Sequence, residues 1–139
     1  MLFEEIDNEI TKKNVDYLLN RYHSIRRLAG SYSPKITATY SLIPRSFTGQ
    51  TSDSTSKTVN FRVQAQKQLK EIEDAFDCIS ADAKRRLYFK YMSDDRIYDY
   101  QIYEKQNISK ATYYRELGEA QLEFAEAYKN GELMAFEIE

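Results

Sequence analysis

Apolar residues recur every three to four positions in five stretches of this chain, and the rhythm breaks between the first and the second. From Glu4 to Leu28, the residues Ile10, Val15, Leu18, Leu19, Tyr22, Ile25 and Leu28 share one helical face. One long helix is expected there, closed by Gly30 after Ala29. The rhythm resumes near Asn60 with Phe61, Ala65, Leu69, Ile72, Phe76 and Ile79 on one side. Ser80 is placed to cap a third helix, and Asp82 to neutralise its amino-terminal dipole. That helix carries Leu87, Tyr88 and Tyr91 and is expected to stop near Met92-Ser93. Asp94-Asp95 then opens a fourth, presenting Ile97, Tyr98 and Ile102. In the last, Tyr113, Leu117, Ala120, Phe124 and Tyr128 form a stripe about five turns long. Gly131 is expected to end it after Asn130.

The junction between the last two helices is the most specific local signal. Asn107 tolerates the left-handed conformation that closes a helix without glycine. Ile108 supplies an apolar plug and Ser109 a capping hydroxyl. Two helices joined in this way over about residues 94–128 read as a helix-turn-helix, whose second helix normally enters the DNA major groove. Arg115 and Ala111 point away from the apolar stripe, Thr112 and Tyr114 flank it, and Lys110 opens the helix. Such side chains reach phosphates and base edges. Tyr103 falls where the first helix of this motif usually carries a small residue. The same geometry also serves as a plain corner between packed helices, so the pattern alone leaves both readings open.

The stretch without rhythm, residues 31–58, has a different character. Pro34 and Pro44 bracket a run rich in β-branched residues, and Ser46 to Ser56 is small and polar. An extended or irregular insert is expected between the first two helices, either functional or disordered. The fold expected is thus all-α: a helical bundle with a carboxy-terminal helix-turn-helix and this insert. Residues 1–58 form an amino-terminal arm. Residues 59–139 form the helical domain, ending in a tail with Leu133, Met134, Phe136 and Ile138. Leu122, Gly118 and Ala125 lie off the main stripe of the last helix, and with the tail they suggest a homodimer or higher oligomer. A tail folded back on its own bundle is the competing arrangement.

Composition narrows the function classes. At 139 residues and 42% hydrophobic, the chain can build one core. No apolar run reaches membrane-spanning length, and the acidic start is unlike a cationic leader, so a cytoplasmic protein is expected. Cys78 and His23 are the sole residues of their types, which excludes an internal disulfide and a structural zinc site. The 4 glycines are scattered and the carboxylates are spread over helix faces. No catalytic residue, metal or cofactor is expected, and an enzyme is not.

Net charge is -2, yet the charge is divided. From Asn20 to Val63 the bases Arg21, Arg26, Arg27, Lys35, Arg45, Lys57 and Arg62 face Asp53 alone, whereas acids crowd both ends. Such a division gives a positive face for phosphates on an acidic molecule, or an ordinary basic surface matched to an acidic one.

Particular segments resemble the ArpU family. They include Leu19-Asn20-Arg21-Tyr22 running to Arg27-Leu28-Ala29-Gly30, Pro34-Lys35-Ile36-Thr37-Ala38, and Pro44-Arg45-Ser46 with Thr48-Gly49 and Ser52-Asp53. Ile108-Ser109, Thr112-Tyr113-Tyr114-Arg115, Phe124-Ala125 through Tyr128, Gly131-Glu132-Leu133 and Phe136 extend the likeness over nearly the whole chain. The resemblance implies a transcriptional regulator of phage and prophage late genes for packaging and lysis in Gram-positive hosts. It also implies a carboxy-terminal part similar to region 4 of bacterial sigma factors. Tyr103 and Glu116 depart from the usual hydrophobic pattern there.

The expected partner is double-stranded DNA, read or anchored by Ser109, Lys110, Thr112, Tyr114 and Arg115. Arg26, Arg27, Lys35, Arg45 and Lys57 are candidates for backbone or protein contacts, and contact with RNA polymerase stays open. The alternatives are a phage DNA-packaging component resembling a small terminase subunit and a helical protein-interaction module without a DNA role.

Overall fold

The computed structural model describes residues 5–30, 53–95 and 97–137, and the side chains of residues 56 onward in the second of these spans. The described residues are helical throughout apart from turns and one isolated bridge. In chain order the helices are α1 (Asn8–Leu19), α2 (Tyr22–Ala29), α3 (Asp53–Asp77), α4 (Ala81–Leu87), α5 (Asp99–Lys105) and α6 (Lys110–Ala127). A π-helical turn, Tyr88–Met92, extends α4, and a 3-10 turn, Tyr128–Asn130, extends α6. Two compact units result, Met1–Tyr22 with Glu71–Glu139, and His23–Lys70.

The first helix differs from expectation in being broken. Asp7 caps α1 through its carboxylate, which accepts from the Ile10 amide at 3.1 Å. At the other end the Arg21 amide turns back to the Leu18 carbonyl at 3.0 Å, and the Asn20 amide bonds Asp16. This tightening stops α1, and α2 restarts at Tyr22. Val15, Leu18 and Leu19 of α1 and Ile25 and Ala29 of α2 are buried, whereas Ile10 and Leu28 are 48% exposed. Gly30 closes α2 in the left-handed region at φ 68°.

Helix α3 begins at Asp53 rather than near Asn60, so residues 53–58 of the expected insert are helical. Residues read as loop formers because they are small and polar are also those favoured at helix starts. The remainder of the insert, 31–52, lies outside the described residues. Within His23–Lys70, Ala65 and Leu69 are buried, and Gln66 Nε2 donates to the Ala29 carbonyl at the end of α2. Phe61, expected on the inner side, is 61% exposed.

In the other unit α6 packs against both α1 and α4. Its stripe is buried as expected: Tyr113, Leu117, Ala120, Phe124 and Tyr128. The second apolar face is covered too. Gly118 lets α1 come close, since a Cβ there would sit 3.1 Å from Lys12 Cε, and Ala125 is fully buried. The tail folds back on α1. Ile6 and Phe136 form an antiparallel bridge, the Asp7 amide donates to the Ala135 carbonyl at 2.8 Å, and the Ala135 amide to Thr11 Oγ1 at 2.9 Å. Gly118, Ala125 and the backbone of the tail are therefore engaged within the chain, whereas Leu122 is half-buried, Phe136 is 47% exposed and Ile138 lies outside the described residues. Across the core, Tyr91 OH donates to Asp16 Oδ1 and accepts from Gln121 Nε2, both at 2.7 Å, tying the π-helical turn to α1 and α6. Burial and then the Asp16 hydrogen bond push the Tyr91 phenol well above its ordinary pKa.

Candidate nucleic-acid interface

Helices α5 and α6 are joined by a hydrogen-bonded turn. The Ile108 amide reaches the Tyr103 carbonyl at 3.1 Å and the Asn107 amide reaches Glu104 at 3.1 Å. With Asn107 at φ 57°, this is a Schellman closure built on asparagine. Ser109 Oγ then accepts from the Thr112 amide at 3.1 Å and caps α6, as expected. The start of α5 differs: it opens at Asp99, not at Asp94-Asp95. Gln101 Oε1 accepts from the Tyr98 amide at 2.8 Å and fixes the helix start there. Tyr98 is consequently 73% exposed instead of inward, whereas Ile102 is buried.

Two polar clusters hold the corner, and the sequence pattern did not identify either as part of the site. In the first, the buried Arg86 of α4 donates from Nε to Glu116 Oε2 at 2.8 Å and pairs through Nη2 at 2.7 Å. Its Nη1 bonds Gln106 in the turn, and its guanidinium lies 5.7 Å from the Tyr113 ring centroid. One arginine thus fastens α4, the turn and α6 together. Glu116 departs from the apolar register because it serves this guanidinium, and that departure was the available signal. In the second cluster, Asp99 receives Lys90 Nζ on both oxygens at 2.9 and 2.8 Å and Tyr113 OH at 2.7 Å. Burial alone would raise this carboxyl, but the hydrogen bonds from Lys90 and Tyr113, with the charge of Lys90, hold it below the ordinary carboxylate range. The Tyr113 phenol is raised, by burial first and then by its bond to Asp99. The Tyr103 ring lies half-buried, 5.7 Å from that of Tyr113, so a large residue is accommodated by ring packing at this crossing.

The candidate residues separate into distinct places. Lys110, Tyr114 and Arg115 are exposed on the first turns of α6, beside Ala111. Ser109 is committed to the cap, and its Oγ also donates to Thr112 Oγ1 at 2.8 Å. Tyr114 OH lies 3.4 Å from Asp99 Oδ2, at the limit of a hydrogen bond. Arg115 sits 3.5 Å from Glu119 Oε1, with both side chains more than 60% exposed, so the pair holds it weakly. Further along, the exposed positions are Glu119 and Glu126, so only the amino-terminal part of the outer face can meet an anion. Arg26 and Arg27 end α2, and Lys57 is exposed on α3. Lys35 and Arg45 lie outside the described residues.

No helix among the described residues is long and apolar enough to cross a membrane. No family model and no solved structure matches the chain. A protein of Streptococcus phage O1205, named as autolysin regulatory protein ArpU, is 30% identical over 136 residues, which are 96% of this chain and 98% of that protein. The likeness thus spans α1 to the folded-back tail, and the chain belongs to the ArpU family.

Proposed function

We propose that this protein is a sequence-specific DNA-binding regulator of phage late-gene transcription, acting in the cytoplasm of the bacterial host. In this reading α5, its turn and α6 form a helix-turn-helix similar to sigma-factor region 4. Helix α6 enters the major groove by its amino-terminal end. The observation that carries the reading is the exposed strip of Lys110, Tyr114 and Arg115 on a helix whose start is held by a capped turn and by Arg86. A reading helix needs its outward side chains displayed from a rigid base, since misplacement of about 1 Å wastes a hydrogen bond. Arg115 offers a bidentate donor for a guanine edge. Lys110 serves the phosphates flanking the helix start, which Ser109 supports by capping it, while Thr112 and Tyr114 border the groove. The acids farther along α6 restrict contact to these first turns. The regulatory role named for the phage O1205 relative supports the late-gene assignment. RNA polymerase is a further partner in this scheme.

The test is a gel-shift titration against the promoter fragments recovered by mapping bound DNA in a lysogen. Arg115→Ala is expected to weaken promoter binding by ~1–3 kcal/mol and to relax preference at one base pair. Lys110→Ala is expected to weaken every sequence alike. Unchanged binding by both folded variants moves the reading surface elsewhere. Selective binding to a packaging site instead of promoters assigns the protein to DNA packaging, and absence of binding at low salt assigns it to protein contacts alone.

A further inference from the structure

We infer that Tyr98 and Tyr100, at the start of α5, make a second contact with DNA. Their hydroxyls donate to backbone phosphates beside the groove that α6 enters. The inference rests on the DNA-binding role proposed above and adds to it a pair of residues outside α6.

The first observation is an ordered aromatic pair left in water. Tyr98 is 73% exposed and Tyr100 50%, with ring centroids 5.9 Å apart and planes within 10° of parallel. Single exposed apolar residues are ordinary, but two rings stacked on one another make a fixed apolar surface with polar tips. Because the stack already holds both rings, a ligand meeting their hydroxyls has little side-chain freedom left to remove.

The second observation is the state of the phenols. Tyr91 OH is bonded to Asp16 and Gln121, Tyr113 OH donates to Asp99 at 2.7 Å, and Tyr114 OH lies 3.4 Å from the same carboxylate. Among the described residues the hydroxyls of Tyr98 and Tyr100 have no such partner. The ring contact needs no hydroxyl, so both are available as donors.

The third observation is place. Tyr98 and Tyr100 flank Asp99 in the chain, and Asp99 stands against Tyr114, which borders the outward strip of α6. Lys90 donates to both oxygens of Asp99, so that carboxylate is matched within the fold and does not stand bare against an anion. Glu104 and Lys105, exposed at the other end of α5, are opposite in sign. Tyrosine is among the side chains that meet DNA phosphates through a neutral hydrogen bond, which positions a protein on the duplex without reading bases. The pair thus supplies affinity and orientation, and base recognition stays with Arg115.

The experiment uses the full chain and two duplexes, the promoter fragment and a random sequence of equal length, over a range of salt. Combined Tyr98→Phe and Tyr100→Phe keeps the stacked rings and removes only the hydroxyls. Its melting temperature is expected to match wild type, while binding to both duplexes weakens by about tenfold, as loss of two hydrogen bonds would give. The ratio of promoter to random affinity stays the same. So does the slope of log affinity against log salt, because a neutral donor releases no condensed cation. Lys110→Ala is the cationic control and flattens that slope by about 0.9. Unchanged affinity for both duplexes in the phenylalanine pair overturns the inference and leaves the role of α6 standing. A loss confined to the promoter overturns it too, since the pair would then read bases. Loss of reporter regulation with DNA affinity intact assigns the stack to a protein partner and likewise overturns it. If the phenylalanine pair weakens both duplexes while Arg115→Ala keeps its promoter preference, the reading role of α6 fails and this contact stands. A wild type that binds neither duplex at low salt removes both.

Discussion

Arg86 does more to define the α5–α6 corner than the residues that face outward. Its guanidinium is almost out of water and meets one carboxylate and one amide oxygen, so removing either partner leaves a polar group unsatisfied. Arg86→Met is expected to destabilise the protein by about 2–4 kcal/mol in urea titration, with Glu116→Met partly restoring it in the double variant. A double variant no more stable than Arg86→Met would show that Glu116 is indifferent to its partner. Asp99 gives a pH signature of the opposite kind to a basic group. Its folded pKa is lowered, so its contribution is complete above the unfolded value near 3.9 and disappears as pH falls through the lower folded value. Wild type should exceed Asp99→Asn in stability at neutral pH, and the gap should close below about pH 4. A gap constant down to pH 2 would mean that the carboxylate charge is immaterial. At this scale the outward residues were legible in sequence, because a helical wheel fixes what a stripe leaves outside. Arg86, Lys90 and Asp99 were not, since their partners lie 9 to 30 residues away along the chain.

Helices declare themselves in sequence by their buried stripes, and their ends by local chemistry that competes with several alternatives. The stripe of α6, the Ser80 and Ser109 caps and the left-handed Gly30 and Asn107 all follow from short-range rules. The break at Asn20-Arg21 does not, because the apolar rhythm continues through it while the backbone tightens by one bond. The start of α5 was misplaced for a related reason. Asp94, Asp95 and Asp99 are all plausible first-turn acids, and Asp99 is selected by Gln101 capping the Tyr98 amide together with Lys90 on another element. The turn itself offers a direct check on the element scale. Asn107 sits at φ 57°, where a Cβ is costly and asparagine is among the better tolerated side chains. Asn107→Gly should match or exceed wild-type stability, whereas Asn107→Val should lose about 1–2 kcal/mol by thermal melting. If both variants weaken the fold equally, the asparagine side chain and not the backbone angle is what the turn requires.

On the scale of the whole molecule, the chain closes on itself where its sequence pattern suggested an interface. Gly118 of α6 stands against Lys12 of α1, Ala125 is buried, and the backbone after Gly131 is held along the start of α1, although Phe136 stays 47% exposed. Asn14 Nδ2 donates to the Leu133 carbonyl at 3.0 Å and the Glu137 amide to Glu5 at 2.9 Å, beyond the bonds of Asp7 and Ala135. Such contacts between residues more than a hundred positions apart carry no local signature, so apolarity alone could not say which copy of the chain the tail would cover. Gly131, at φ 88° with Met134 Sδ 3.0 Å from where a Cβ would stand, turns the chain into this path. Truncation after Asn130 should therefore act on stability within one protomer. Losing several hydrogen bonds worth ~1 kcal/mol each, less the ordering entropy of a short tail, should lower unfolding free energy by about 2–4 kcal/mol. Sedimentation equilibrium should return the same association state for the full and truncated chains, measured where both are folded. Loss of self-association on truncation, with the melting temperature unchanged, would instead assign the tail to a second copy and restore the two-fold reading of paired half-sites.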